Sequence, residues 1–294
     1  MSELEALLLG IVQGLTEFLP ISSSGHLILV PWLQDYRFLA ENPEFNKTFD
    51  VALHAGTLVA ALAFFRADVI ALTRDFLRSV RRRAITTSGE RLSWALAIGT
   101  VPAVIVGGLG EGLIDEHLGD PWLIAILLIV FGAVLLHADS RPERRTMQPA
   151  SGGRGGAEDG QGGITIRDGL YIGLAQAIAL APGTSRSGVT ITAARYLGLD
   201  RDSAARVSFL LLIPAVAGAT VYKAVKAVSE GLPEGVAGPM VVGTIGAAIS
   251  GYFAIRLLLG IVRRRSYAPF VYYRFAAGAG VLLLIATGVR DATF

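Results

Sequence analysis

The chain has 294 residues, of which 52% are hydrophobic and 17% charged, and its mean hydropathy is +0.55. A water-soluble fold of this size carries roughly 25% charged residues, so this composition excludes an ordinary soluble domain and points to the membrane. There is no cysteine, which excludes disulfides, thiolate metal sites and a cysteine nucleophile, and the net charge of +2 is small enough that only its distribution is informative.

Read from the N-terminus, Glu3 and Glu5 stand where a secretory signal would carry basic residues and no cleavage site follows, so this segment is expected to belong to the mature fold. Residues 4–33 are apolar but interrupted by Pro20-Ile21-Ser22-Ser23-Ser24-Gly25-His26. Three runs long enough to cross about 30 Å of hydrocarbon follow, at about 49–65, 92–110 and 121–138. A polar stretch at about 139–167, glycine-rich over 147–163, reads as a flexible cytoplasmic linker. A second interrupted segment at 168–198 is broken by Pro182-Gly183-Thr184-Ser185-Arg186-Ser187-Gly188, and spans at 205–225, 238–261 and 270–289 complete the chain. Neither arm of either interrupted segment is long enough to span. Backbone groups cannot stay unpaired in lipid, so each segment is predicted to be a re-entrant helix-turn-helix hairpin whose tip is buried in protein or lines a watery cavity.

The expected fold class is thus an all-α polytopic membrane protein, with six transmembrane helices plus two re-entrant hairpins in one integral domain over 1–294. Residues 7–14 (LLLGIVQG) and 170–177 (LYIGLAQA) share the pattern Gly10-x-x-Gln13 and Gly173-x-x-Gln176. Three spans per half make the halves, about 1–138 and 168–294, antiparallel, which is the inverted repeat whose broken helices meet near the bilayer midplane. Arg66, Arg74, Arg78, Arg81, Arg82, Arg83 and Arg91 crowd the loop at 66–91, and Arg263-Arg264-Arg265 another, so both are expected on the cytoplasmic side. The loop at 111–120 holds Glu111, Asp115, Glu116 and Asp120 without Lys or Arg, which suits the outer side. The first hairpin then enters from outside and the second from inside.

The two turns carry the chemistry. Gln13 and Glu17 are four apart and share one helical face. A carboxylate at mid-bilayer costs about 2.5–3.5 kcal/mol on insertion scales and usually faces a cavity or a partner; pairing within the bundle is the plainer alternative. Ser22, Ser23 and Ser24 supply hydroxyls and His26 a group that moves protons near neutral pH, the parts of an activated nucleophile, although serines in such a turn also cap helices. His54, alone on an apolar span, reads as a packed or hydrogen-bonded core residue. In the second turn the planar fork of Arg186 suits phosphate oxygens. Gly183 lets backbone N–H groups approach an anion, and the helix that follows presents its positive end. Gln13, Ser22, Ser24, Gly183, Thr184, Ser185, Ser187 and Thr190 are the candidate phosphate-binding residues, with Ser185 and Thr190 serving as ligands or loop stabilisers. No Gly-Lys-Ser/Thr ending and no preceding strand are present, so this is not a nucleotide P-loop. An Arg186–Glu17 pair across the repeat axis is the structural alternative to a phosphate cradle.

These motifs resemble those of the bacterial undecaprenyl-diphosphate phosphatase family: Gln13-x-x-x-Glu17, the turn Pro20 to His26, and Pro182-Gly183-x-Ser185-Arg186-Ser187-x-x-Thr190. The resemblance covers nearly the whole chain except the glycine-rich linker. It implies hydrolysis of undecaprenyl diphosphate to undecaprenyl phosphate and inorganic phosphate in the bacterial cytoplasmic membrane, with the active site open to the outer side. It also implies a divalent cation, Mg²⁺ or Ca²⁺, and an effect on sensitivity to bacitracin, which competes for the lipid. Gln13 stands where the family often has a second carboxylate, so Glu17 would hold the cation together with substrate phosphates. The expected mechanism has Ser23 attack phosphorus while His26 takes its proton, Glu17 orients His26 or the metal, and Arg186 steadies the transferring group; His26 as the nucleophile is the rival. A transporter or lipid flippase for an anionic substrate is the alternative function, because inverted repeats with broken helices also build transport sites. No nucleic-acid partner is expected, and the oligomeric state, a homodimer included, stays open.

Overall fold

Ser2 accepts a hydrogen bond from the Glu5 backbone while the Glu5 carboxylate accepts one from the Ser2 N–H, a reciprocal cap that starts the first helix at Glu3. The computed structural model describes residues 1–147, 163–230 and 235–293. The described residues form twelve helices: α1 (Glu3–Phe18), α2 (Ser23–Gln34), α3 (Arg37–Glu41), α4 (Pro43–Phe64), α5 (Arg66–Arg82), α6 (Ser88–His117), α7 (Pro121–Asp139), α8 (Ile166–Ile178), α9 (Arg186–Tyr196), α10 (Arg201–Glu230), α11 (Ala237–Val262) and α12 (Ala268–Ala286). Thr165 and Asp168 repeat the reciprocal cap at the start of α8.

Six helices contain stretches long and apolar enough to cross a membrane: Phe45–Phe64, Ser88–Leu109, Pro121–Asp139, Arg201–Tyr222, Ala237–Val262 and Ala268–Ala286. Each lies within four residues of a span read from hydropathy, and the protein is a helical multi-pass membrane protein. The two interrupted segments are helix-turn-helix pairs. Their arms, α1, α2, α8 and α9, have 16, 12, 13 and 11 residues, about 24, 18, 20 and 17 Å at 1.5 Å per residue, each short of a bilayer core.

The short first arms are held by close backbone approach. A Cβ on Gly10 of α1 would collide with the Gly243 carbonyl of α11, and one on Gly173 of α8 would collide with the Gly99 carbonyl of α6. The surroundings match as well: Gly243 also meets Ala6 and Leu53, and Gly99 meets Gly169 and Leu211. Thus α1, α4 and α11 make the same three-way contact as α8, α10 and α6.

Two expected loops are partly helical. Residues 66–82 form α5, which buries Ala71, Leu72, Asp75 and Ser79 and ends in Arg81 and Arg82, where cations complement the helix C-terminus. Helix α6 continues to His117, so most of the acidic stretch expected as a loop belongs to it. Most of the 147–163 glycine-rich stretch lies outside the described residues. The residues before it are strapped down: the Arg144 and Arg145 N–H groups donate to the Gly198 carbonyl at 2.9 and 3.0 Å. Buried Arg195 donates to the carbonyls of Asp139 and Arg141 at 3.1 and 2.7 Å.

Candidate active site

Both helix pairs turn on a serine in a strained conformation. Ser22 has φ +79° and its hydroxyl accepts from the Gly25 N–H at 3.3 Å; Ser185 has φ +74° and accepts from the Gly188 N–H at 3.1 Å. Positive φ is costly for a residue with a side chain, and such strain persists only where the surroundings over-determine it. Capping and chemistry therefore divide among neighbours: Ser22 caps α2 and Ser23 becomes its first residue, Ser185 caps α9 and Arg186 becomes its first residue. Ser24 follows at the second position of α2, half-buried.

The two turns touch. Ser22 Oγ accepts from the Gly183 N–H at 3.1 Å, and Ser187 Oγ donates to the Leu19 carbonyl at 3.1 Å. Arg274 of α12, fully buried, donates to the carbonyls of Pro20 (3.2 Å), Gly183 (3.0 Å) and Thr184 (3.1 Å), and to those of Leu127 and Leu128 on α7. One guanidinium thus gathers both tips and a neighbouring span. Its sequence signal is a lone arginine inside an apolar span, an expensive placement that marks function or architecture.

Glu17, 4% exposed, is the hub of the junction. Its Oε2 accepts from Ser23 Oγ at 2.5 Å and from Gln13 Nε2 at 3.1 Å, and its Oε1 accepts from Arg186 at 3.1 Å. Arg186 also donates to the Ser208 carbonyl at 2.9 Å. The Glu17–Arg186 pair is therefore present, with Glu17 in the last turn of α1 and Arg186 the first residue of α9. His54 Nε2 lies 3.6 Å from Glu17 Oε2, while its Nδ1 donates to the Asp50 carbonyl at 2.7 Å. His54 is thus hydrogen-bonded within its own helix, as expected, while its other nitrogen faces the charged cluster.

The expected pairing of Ser23 with His26 is not the one the structure makes. Ser23 gives its hydroxyl to Glu17. His26 donates from Nδ1 to the Ser22 carbonyl at 2.6 Å, and its Nε2 lies 2.7 Å from the Tyr273 hydroxyl. Both ring nitrogens of His26 are taken by other groups, the Ser22 carbonyl and the Tyr273 hydroxyl of α12, while Ser23 begins α2 beside Glu17 at the end of α1. Around Arg186, Thr184 Oγ1 donates to the Ala181 carbonyl at 2.7 Å, Thr190 Oγ1 to Ser208 Oγ at 2.7 Å, and Ser185 serves as the cap. Thr184, Ser185, Ser187 and Thr190 are all buried, so their hydroxyls shape the turn.

Among the described residues, no three His, Asp or Glu side chains gather closely enough to hold a metal unaided. The Gln13 amide oxygen, however, is buried without a hydrogen-bond partner while its nitrogen is committed to Glu17. One carboxylate and one free amide oxygen suit a hard cation whose remaining ligands are phosphate oxygens and water.

Residues 6–280 match the family model described as Bacitracin resistance protein BacA. The chain is 42% identical over 290 residues to a protein of Pelobacter propionicus named undecaprenyl-diphosphatase, covering 98% of this chain and 99% of that one. Proteins of the same name from Geobacter sulfurreducens and Geobacter metallireducens are each 45% identical, covering 96% and 97% of this chain and 98% and 99% of theirs.

Proposed function

We propose, since the chain belongs to the bacitracin resistance protein BacA family, that it hydrolyses undecaprenyl diphosphate to undecaprenyl phosphate and inorganic phosphate at the junction of its two helix pairs. The observation that carries this reading is the shared carboxylate: Ser23 on one oxygen of Glu17 and Arg186 on the other, at the start of two helices. That arrangement suits phosphoryl transfer, where positioning and charge stabilisation supply most of the acceleration. A carrier of anions needs the arginine and the helix ends but not a serine held by a carboxylate.

Ser23 attacks the terminal phosphorus and passes its proton to Glu17 Oε2, the acceptor it already touches. Arg186 swings its charge from Glu17 to the transferring phosphoryl group, which forms at the positive ends of α2 and α9. Gln13 and Glu17 would hold a divalent cation, Mg²⁺ or Ca²⁺, which when bound neutralises charge on the diphosphate. The two halves, about 1–138 and 168–294, form an inverted repeat, supported by the matched contacts of Gly10 and Gly173. The short arms make both helix pairs re-entrant in the cytoplasmic membrane, with the basic end of α5 inside and the site open to the outer side. Bacitracin, by sequestering the same lipid, would compete with the enzyme.

The test is phosphate release from a C55 lipid diphosphate by purified protein in detergent, comparing wild type with Glu17→Ala, Ser23→Ala, His26→Ala and Arg186→Ala. Arg186→Ala is expected to lose at least about a hundredfold; unchanged activity in that variant sinks the reading. Acid-stable phosphate on residue 23 after quenching would place the nucleophile, and phosphate on histidine would move it to His26.

A further inference from the structure

His26 is 7% exposed, and both of its ring nitrogens are spoken for. A carbonyl can only accept, so the 2.6 Å contact with the Ser22 carbonyl places the hydrogen of the neutral ring on Nδ1. The lone pair is then on Nε2, where the Tyr273 hydroxyl lies 2.7 Å away and donates to it. The two rings are nearly parallel, 16° between planes with centroids 5.6 Å apart. Tyr273 itself is 45% exposed, so it links the buried imidazole to the outside of the helix bundle.

Tyr273 is also held in place. It precedes Arg274 on α12, whose guanidinium binds the carbonyls of Pro20, Gly183 and Thr184 in the two turns. The helix that presents Tyr273 to His26 is therefore the helix that fixes the turn from which His26 projects. Tyr272, its neighbour, is 62% exposed and points elsewhere on the same helix.

We infer that Tyr273 is a positioning residue for the hydrolysis, acting through His26, and that its hydroxyl is the route by which the His26 proton moves. When water attacks the phosphorylated Ser23, a new O–P bond forms and the Ser23 Oγ–P bond breaks; Ser23 takes back the proton it gave to Glu17, while the proton lost by the water goes to the Tyr273 oxygen as Tyr273 passes its own to His26 Nε2. The imidazolium then returns that proton through Tyr273 to the departing phosphate, so the protein gains and loses no net proton. This rests on the proposed hydrolysis at Ser23 and adds to it a role for His26 in the second half of the reaction, after Ser23 has given its proton to Glu17.

The experiment measures phosphate release by the purified full-length chain in detergent for wild type, Tyr273→Phe, His26→Ala, the double variant and Tyr272→Phe, with melting temperatures for all. Tyr273→Phe is expected to lower kcat about a hundredfold, the lower end of the range for a lost general acid–base contact, with KM within about twofold and the melting temperature unchanged. Adding Tyr273→Phe to His26→Ala should cost nothing further, because the hydroxyl works through the ring it no longer has. Tyr272→Phe should match wild type. Full activity in Tyr273→Phe alongside an inactive His26→Ala overturns the relay while leaving His26 in the reaction. Full activity in His26→Ala overturns the reading beneath it. Additive losses in the double variant, or a loss traced wholly to a lower melting temperature, also overturn the inference.

Discussion

The Ser22 hydroxyl accepts the backbone N–H of Gly183 at 3.1 Å, so the cap of one helix is at the same time a bond to the other half of the site. The same oxygen accepts from Gly25 within its own turn. Ser22→Ala removes both and leaves two buried N–H donors unpaired. A loss of about 2 kcal/mol is expected, read as a lower melting temperature, together with reduced phosphate release because the register of Ser23 against Arg186 loosens.

Arg274 is expected to be unforgiving. Its fork reaches five carbonyls on three segments, a geometry an ammonium cannot reproduce. Arg274→Lys should lower stability by about 3 kcal/mol and reduce phosphate release at least about tenfold, with the folded fraction followed by thermal melting.

Glu17 and Arg186 form a buried pair, and removing either partner strands the other. Each single alanine variant should lose about 3 kcal/mol, while the double variant should lose less than the sum, giving a coupling of at least about 1 kcal/mol in a melting-based cycle. Additive losses would mean that the pair does not hold the junction together.

A fourth expectation concerns pH. Asp168 caps α8 and accepts from Arg145 at 2.6 Å. Burial alone would raise its carboxyl, but the Arg145 guanidinium and the Thr165 donors hold it below the usual carboxylate range. A depressed folded value means that the stabilisation is complete above the unfolded value, about 3.9, and is lost as pH falls through the folded one. The gap in melting temperature between wild type and Arg145→Ala, worth about 1 kcal/mol for a partly exposed partner, should therefore be present at neutral pH and close in acid.

Hydropathy made the spans legible because bilayer thickness imposes one length on them, and the broken segments were legible because polar residues inside apolar runs need a reason. The Glu17–Arg186 pair was legible as the alternative to a phosphate cradle, because opposite charges buried in an apolar bundle need partners. What escaped pattern was set by helix phase and by partners distant in the chain. Ser23 bonds Glu17 rather than His26 because both ring nitrogens of His26 are taken by the Ser22 carbonyl and Tyr273. Tyr273 reaches His26 from α12, with no motif around it. His54 was legible as a hydrogen-bonded residue of an apolar helix, but its charged neighbour Glu17 lies on another helix. Helix α5 was masked by its arginines, although buried Ala71, Leu72, Asp75 and Ser79 recur at helical spacing.

The close approach of Gly10 to Gly243 also has a consequence for how the protein is made. The first arm to leave the ribosome packs on a helix that is complete only at residue 262, so α1 waits through most of synthesis for the surface that fits it. Helix α8, by contrast, meets α6 as soon as it emerges. Assembly of the second hairpin can precede that of the first, and Glu17 meets its arginine only when the N-terminal arm docks. A ribosome stalled before α11 would leave an inserted chain with the arginine placed and the carboxylate still in search of its seat.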